Sequence, residues 1–240
     1  MSNSKLVTYV KLSPNHSGPR THPIDRITPH CVVGQLTAAG IAACFASPAR
    51  AASCNYGIGV DAGVSLIVDE GNRSWCSSSN ANDQRAVTIE CASDTVNPYR
   101  MTTAVYNKLV DLCEDICRRN GKKKLVWLGQ AALNYTPKAD EMVITCHRWF
   151  ANKTCPGDWL YSRLGNLADE VTQRLISFEP YRVKITKTCN VRKKPTAASK
   201  KIMTLTAGGA YTIVKLNSTK KWGKLKSGAG WIRLKYTKKL

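Results

Sequence analysis

Apolar positions along the chain change period several times, and each change marks an element. From Met101 to Asn120, Val105, Leu109, Leu112, Cys113 and Ile116 recur at helical spacing, and the run stops at Asn120-Gly121, a pair suited to a helix C-terminus. Trp159 to Ile176 predicts a second long amphipathic helix, and Thr37 ahead of Ala-Ala-Gly-Ile-Ala-Ala-Cys-Phe predicts a capped, buried one. Period-two runs lie between them. Ala86 to Cys91 sets Val87, Ile89 and Cys91 on one face and Thr88 and Glu90 on the other. Residues 55–60 and 64–68 read as strands around a turn at Asp61-Ala-Gly63. With β-like stretches at 7–12, 26–33, 125–128 and 141–146, the pattern predicts an α/β domain built on one central sheet.

After residue 181 the helical period disappears. Short alternating runs follow at 183–187, 202–205, 211–216, 222–226 and 231–234, punctuated by glycine, and they predict a small all-β barrel. Ser177 to Tyr181 reads as the junction, giving domains of 1–178 and 179–240. The charge divides at the same place. The 240 residues carry 36 Lys and Arg against 16 Asp and Glu, a formal net charge of +20. Glu179 is the last acidic residue, so residues 182–240 hold +17 and the longer body only +3. A cationic module of this kind attracts polyanions with strong salt dependence. Nucleic acid is one such polyanion, but the segment shows no RNA-recognition aromatic motif, zinc-finger spacing or recognition helix.

Overall composition, with 43% hydrophobic and 22% charged residues, excludes a disordered polycation or a fibrous protein. No apolar run approaches the roughly 20 residues needed to cross a bilayer, so a soluble protein with no membrane partner is expected. The ten cysteines are irregularly spaced and several sit in apolar runs, which reads as free core thiols made in a reducing compartment. Ala38 to Ala52 is too deep in the chain for a secretory signal, and Met1 to Val10 has no apolar core of the needed length, so no signal peptide is expected.

Of the four histidines, His16 and His22 lie in a Pro-rich N-terminal stretch read as a solvated loop, whereas His30 and His147 end predicted strands. Cys155 follows His147 by eight residues, in a loop before a predicted helix. The segment His147-Arg-Trp-Phe-Ala-Asn-Lys-Thr-Cys-Pro-Gly-Asp-Trp-Leu160 resembles the C-terminal signature of the zinc-dependent N-acetylmuramoyl-L-alanine amidase family, which includes phage endolysins, bacterial amidases and peptidoglycan recognition proteins. Thr28-Pro-His30, Ser53-Cys-Asn-Tyr56, Trp75-Cys-Ser and Val87-Thr-Ile-Glu90 match that family in order, so the resemblance covers about residues 20–176. It implies a central mixed β-sheet flanked by helices, with Zn2+ held by His30, His147 and Cys155. It further implies that zinc-activated water cleaves the amide between N-acetylmuramic acid and L-alanine. In that scheme Glu90 moves the proton and Lys153 stabilises the oxyanion.

This sequence departs from the family pattern at Cys54, where some members carry Tyr, and at Trp75-Cys76, where many carry Trp-His. Asp158 is an alternative ligand to Cys155, although an acid after Pro-Gly better suits the cap of a helix starting at Trp159.

The C-terminal segment, with Asn190-Val-Arg192 and Gly230-Trp231, resembles bacterial SH3-like cell-wall-binding repeats, with Trp231 expected in the core. Together the resemblances imply a peptidoglycan hydrolase of endolysin or autolysin type. It would be held in the host bacterial cytoplasm until lysis and then act on Gram-positive walls, whose anionic polymers the basic domain would bind. A non-catalytic peptidoglycan-recognition protein and a basic nucleic-acid-binding protein are the alternatives.

Overall fold

Short runs rich in Ile, Val and Thr form strands that are buried on both faces, and these set the frame of the N-terminal half. The computed structural model describes residues 2–176, 180–217, 219 and 221–240. It divides into two units, Met1–Ile176 and Ser177–Leu240, and the expected boundary between 178 and 179 lies outside the described residues.

In chain order the first unit holds β1 (Tyr9–Val10), β2 (His16–Pro19), β3 (Arg26–Cys31), α1 (Ala38–Cys44), β4 (Tyr56–Ile58), β5 (Val64–Leu66) and β6 (Asn72–Ser74). It continues with α2 (Asn80–Arg85), β7 (Ala86–Cys91), α3 (Thr103–Arg119), β8 (Lys124–Val126), β9 (Glu141–Ile144), α4 (Asp158–Tyr161) and α5 (Leu164–Leu175). One mixed sheet runs β1-β5-β4-β7-β3-β9-β8, in which β4, β7, β3, β9 and β8 are parallel and the β4–β5 hairpin is antiparallel. Every residue of β3 is buried, and so is every residue of β7 except Glu90. Helix α1 packs on β1, β4 and β5, α3 on β4 and β7, and α5 on β8 and α3. Ile27, Ile41, Tyr56, Ile89, Leu112, Ile116 and Ile144 meet in the core between them.

Helix ends follow local chemistry. Thr37 and Thr102 accept from the backbone N–H of Gly40 and Val105, capping α1 and α3, and α3 stops at Asn120 ahead of Gly121. The predicted helix from 159 to 176 is instead two helices, broken at Ser162-Arg163. There the Arg163 guanidinium donates to the freed carbonyl of Trp159 at 2.9 Å and lies 4.3 Å from the Trp159 ring centroid, which stabilises the break. His16, expected in a loop, lies on β2, which pairs with β6 as a separate two-stranded ribbon. All ten thiols are free, and seven of them are buried.

The second unit is all β: β10 (Tyr181–Ile185), β11 (Cys189–Arg192), β12 (Lys201–Leu205), β13 (Ala210–Leu216), β14 (Trp222–Leu225), β15 (Trp231–Arg233) and β16 (Thr237–Lys239). They form one antiparallel sheet in the order β12-β11-β15-β14-β13-β10-β16 over a core of Val183, Ile185, Val191, Leu205, Ile213, Leu225 and Ile232. Strands β11 and β16 add to the five expected from sequence. The buried indole is Trp222, whereas Trp231, expected in the core, is half-buried. Gly230 sits at φ +145°, and a Cβ there would meet the Arg192 carbonyl oxygen at 2.5 Å, so only glycine lets β11 and β15 approach.

A buried charge ties the first unit together. The Glu70 carboxylate has no solvent exposure and accepts from Arg119 at 2.8 and 2.7 Å, from the Tyr56 hydroxyl at 2.7 Å and from the Asn120 amide at 3.2 Å. These partners join the 64–74 segment to the C-terminus of α3. Arg119→Met leaves that carboxylate buried and unpaired and is expected to lower unfolding free energy by about 3–5 kcal/mol. Urea titration checks this, and adding Glu70→Gln should recover part of the loss.

Candidate metal centre

Parallel pairing of β3 with β7 sets His30 directly opposite Glu90, and β9 flanks β3 on its other side. His30 and Glu90 stand near the carboxyl ends of their strands, and His147 follows the end of β9 as the first residue of a 3-10 turn, His147–Trp149. The carboxyl ends of adjacent parallel strands are where ligand sites form in such sheets. Cys155 reaches the same place from the loop before α4: its Sγ lies 3.2 Å from His30 Nδ1. The His30 and His147 rings are 5.1 Å apart, and donor atoms of His30, His147 and Cys155 all lie within 4.8 Å of one another.

The loop carrying Cys155 is fixed at several points. The Arg148 N–H donates to the Cys155 carbonyl at 3.1 Å, and the Arg148 guanidinium bonds the Thr154 carbonyl and, at 3.0 Å, Asp158. Asp158 is therefore an exposed first-turn residue of α4 paired with Arg148. It does not cap the helix as expected: the N-cap is Gly157, and no side chain bonds there. Gly157 has φ +83°, and a Cβ on it would come within 2.8 Å of Tyr99 Cβ and 3.0 Å of the Pro98 oxygen.

A second turn closes the other side. Asp83 accepts from the Cys76 N–H at 3.0 Å, the Ser77 N–H at 3.1 Å and the Ser77 hydroxyl at 2.6 Å. This holds Ser78, whose Oγ lies 2.9 Å from His147 Nε2. Between the turns is a cavity of about 760 Å³, lined by Arg50, Arg73, Trp75, Cys76, Glu90 and Lys153 together with His147 and Cys155. Cys54, which stands where some members of the resembled family carry Tyr, is fully buried.

Burial sets the electrostatics. It pushes the His30 imidazole down to about 3, helped by His147, and it lowers His147 with help from Lys153. Burial therefore favours the neutral form of both rings, which keeps a lone pair able to bind a cation. Burial also raises the Cys155 thiol and lifts Glu90 to about 7, against the pull of Arg50. His30 Nε2 and Glu90 Oε2 are buried without a hydrogen-bond partner, as are the Nε atoms of Arg73 and Arg148. Such orphans cost about 1–3 kcal/mol each. Two neutral imidazoles and a thiol at this spacing fit a tetrahedral N/S metal such as zinc, whose charge would favour the thiolate.

The geometry brings together all five residues singled out from sequence: His30, Glu90, His147, Lys153 and Cys155. Sequence reasoning missed Ser78, Arg50 and Arg73. Arg50 lies within the Ala-rich stretch 38–52 and ends a 3-10 turn, Pro48–Arg50, capped by Ser47, a Ser-Pro signature that was legible in principle.

Residues 20–158 match the family model described as N-acetylmuramoyl-L-alanine amidase. No curated protein matches the chain. Among solved structures, PlyL is 16% identical with a TM-score of 0.49 over 68% of this chain and 95% of its own. An AmpD derivative is 18% identical with a TM-score of 0.49 over 70% and 99%. Drosophila peptidoglycan recognition protein SA is 16% identical with a TM-score of 0.47 over 65% and 89%.

The positive φ and close packing at Gly157 make Gly157→Ala a local test of the Cys155 loop. The variant is expected to lose more than about 1 kcal/mol, read as a lower urea midpoint at unchanged slope.

Proposed function

The chain belongs to the N-acetylmuramoyl-L-alanine amidase family. On that premise we propose that it is a zinc-dependent peptidoglycan hydrolase of endolysin or autolysin type, cleaving the amide between N-acetylmuramic acid and L-alanine. The observation that carries the reading is the convergence of His30, His147 and Cys155 beside two orphaned buried atoms. His30, His147 and Cys155 would hold the ion. Zinc supplies Lewis-acid chemistry when bound, making water nucleophilic near neutral pH and polarising the amide carbonyl.

The chain's own groups supply the rest. Glu90, the one residue of β7 that is only half-buried, would take the proton from the attacking water and hand it to the leaving amine. Its carboxyl, lifted to about 7, suits both directions of that transfer. Lys153, an exposed cation on the cavity wall, would oppose negative charge developing on the carbonyl oxygen. Arg148 and Asp83 position the two turns and touch no reacting atom.

The all-β unit is proposed as an SH3-like wall-binding module on residues 179–240, with 1–178 as the catalytic domain. Between 180 and 240 there is no acidic side chain, which supports attraction to the anionic polymers of Gram-positive walls. Ten free thiols support synthesis and storage in a reducing cytoplasm before release to the wall.

Incubated with purified Gram-positive walls, the protein is expected to reduce turbidity and expose alanine amino groups, to stop on chelation and to recover with zinc. Release of reducing sugar ends would sink the amidase reading, and binding without cleavage would favour a recognition protein. In the same preparation, Cys155→Ser should lose most of its zinc by elemental analysis while Asp158→Asn keeps it.

Wall retention of the full chain should fall steeply between about 0.05 and 1 M salt, as the screening length shrinks toward 3 Å. Retention that ignores salt would show that the cationic unit is not an electrostatic anchor, and preferential capture by nucleic acid at equal salt would redirect the assignment.

A further inference from the structure

The face of the all-β unit turned away from its core carries a small cavity. Side chains alternate along β11 and β15, so Val191 and Ile232 enter the core while Asn190 and Arg192 share the opposite face of β11. Register adds to that face: Arg192 stands opposite Trp231, and Arg233 stands opposite Trp222. There Asn190, Arg192, Trp222, Arg233 and Tyr236 line a cavity of about 110 Å³. Trp222 is only 8% exposed, yet it does not belong to the apolar core of the unit. A buried indole usually finds an acceptor for its N–H. Here the Trp222 indole, the Arg233 guanidinium and the Tyr236 hydroxyl have no hydrogen-bond partner among the described residues. Arg192 uses one N–H, donated to the Ser199 carbonyl at 2.6 Å, and keeps the rest of its fork free.

We propose that this cavity binds a phosphate group of an anionic wall polymer; this rests on the wall-binding role proposed above. The groups left free are hydrogen-bond donors, and two of them carry a full positive charge. No acidic side chain between residues 180 and 240 is available to fill the space. The donors come from β11, β14, β15 and the 3-10 turn Leu234–Tyr236. Convergence from several elements suits a tetrahedral oxyanion, whereas one guanidinium fork already satisfies a planar carboxylate. Attraction by the basic surface as a whole is diffuse and counts only charge. The cavity adds a contact that depends on geometry.

Retention of the full-length protein on Gram-positive walls, at one fixed salt concentration, separates the two. Arg192→Lys and Arg233→Lys keep the charge but lose the fork, and each is expected to weaken retention at least about fivefold. Lys226→Gln removes a charge from the exposed β14–β15 turn, outside the cavity, and should weaken it less than about twofold. Arginine variants no weaker than Lys226→Gln overturn the proposal and leave the wall-binding role standing, and an unaltered chain that is not retained at all overturns both. Walls stripped of phosphate polymers by cold hydrofluoric acid should no longer distinguish the arginine variants from the unaltered chain. If they still do, the bound group is a peptidoglycan carboxylate and the phosphate assignment fails. A readout on the unaltered chain is independent of how the variants fold. In heteronuclear NMR spectra the Trp222 indole N–H signal should shift on adding poly(glycerol phosphate) and stay in place with polyglutamate of equal charge. A signal that does not move with the phosphate polymer, moves as far with polyglutamate, or moves further with DNA of equal charge overturns the proposal.

Discussion

The backbone ladder between β3 and β7 is the constraint on which the rest of the site depends. Six residue pairs from Arg26–Ala86 to Cys31–Cys91 run in parallel register. Because side chains alternate strictly along a strand, a slip of one residue would turn His30 and Glu90 to opposite faces. Hydrophobic burial fixes the register: Ile27, Val87 and Ile89 have no exposure, and any other pairing would bring polar groups into their place. The chemistry at the strand ends is therefore set by packing some distance away from it. The strands themselves contribute few reactive groups, and the loops beyond β9 and β6 bring the others.

Elsewhere in this unit buried polarity is matched with care. Asn82 donates to Thr28 and to Ser77 and accepts from Arg26 and Thr145, so a buried amide is fully engaged at the base of the sheet. Asn55 ties the hairpin to β7 in the same manner, donating to the carbonyls of Val68, Asp69 and Asn72 and accepting from the Thr88 N–H. Against that background, unpartnered atoms on His30 and Glu90 stand out as a pair at one site; the other unpartnered buried side-chain atoms among the described residues are the Nε atoms of Arg26, Arg73 and Arg148 and Trp149 Nε1. Native proteins tolerate such local cost where a site needs it.

Much of this was legible in the sequence where one period dominated a long stretch. Helix α3, the β4–β5 hairpin, β7 and the division into an α/β body and an all-β unit all follow from hydrophobic spacing and turn residues. The residues that converge at the strand ends were legible as well, but through a short segment around His147 and the resemblance it carries, since His30 and Cys155 are 125 residues apart and no local rule joins them. What stayed hidden depends on contacts made across the fold. The break between α4 and α5 rests on Arg163 folding back over Trp159. The three-residue β6 has too little pattern to be seen, and its partner β2 carries His16 and Pro19, which read as loop. Asp158 looked like a cap because its neighbours are Pro and Gly, yet Arg148 claims it. Trp222 and Trp231 look alike in sequence, and only the register of β14 and β15 decides which one is buried.

The all-β unit has one more property worth following. Besides having no acidic side chain, residues 180–240 contain no histidine, and their cations are lysine and arginine throughout. A lysine or arginine in that stretch finds no carboxylate side chain within it to pair with. An anionic ligand would therefore displace no ion pair made inside the stretch, and each charge contact it gained would come without first breaking one.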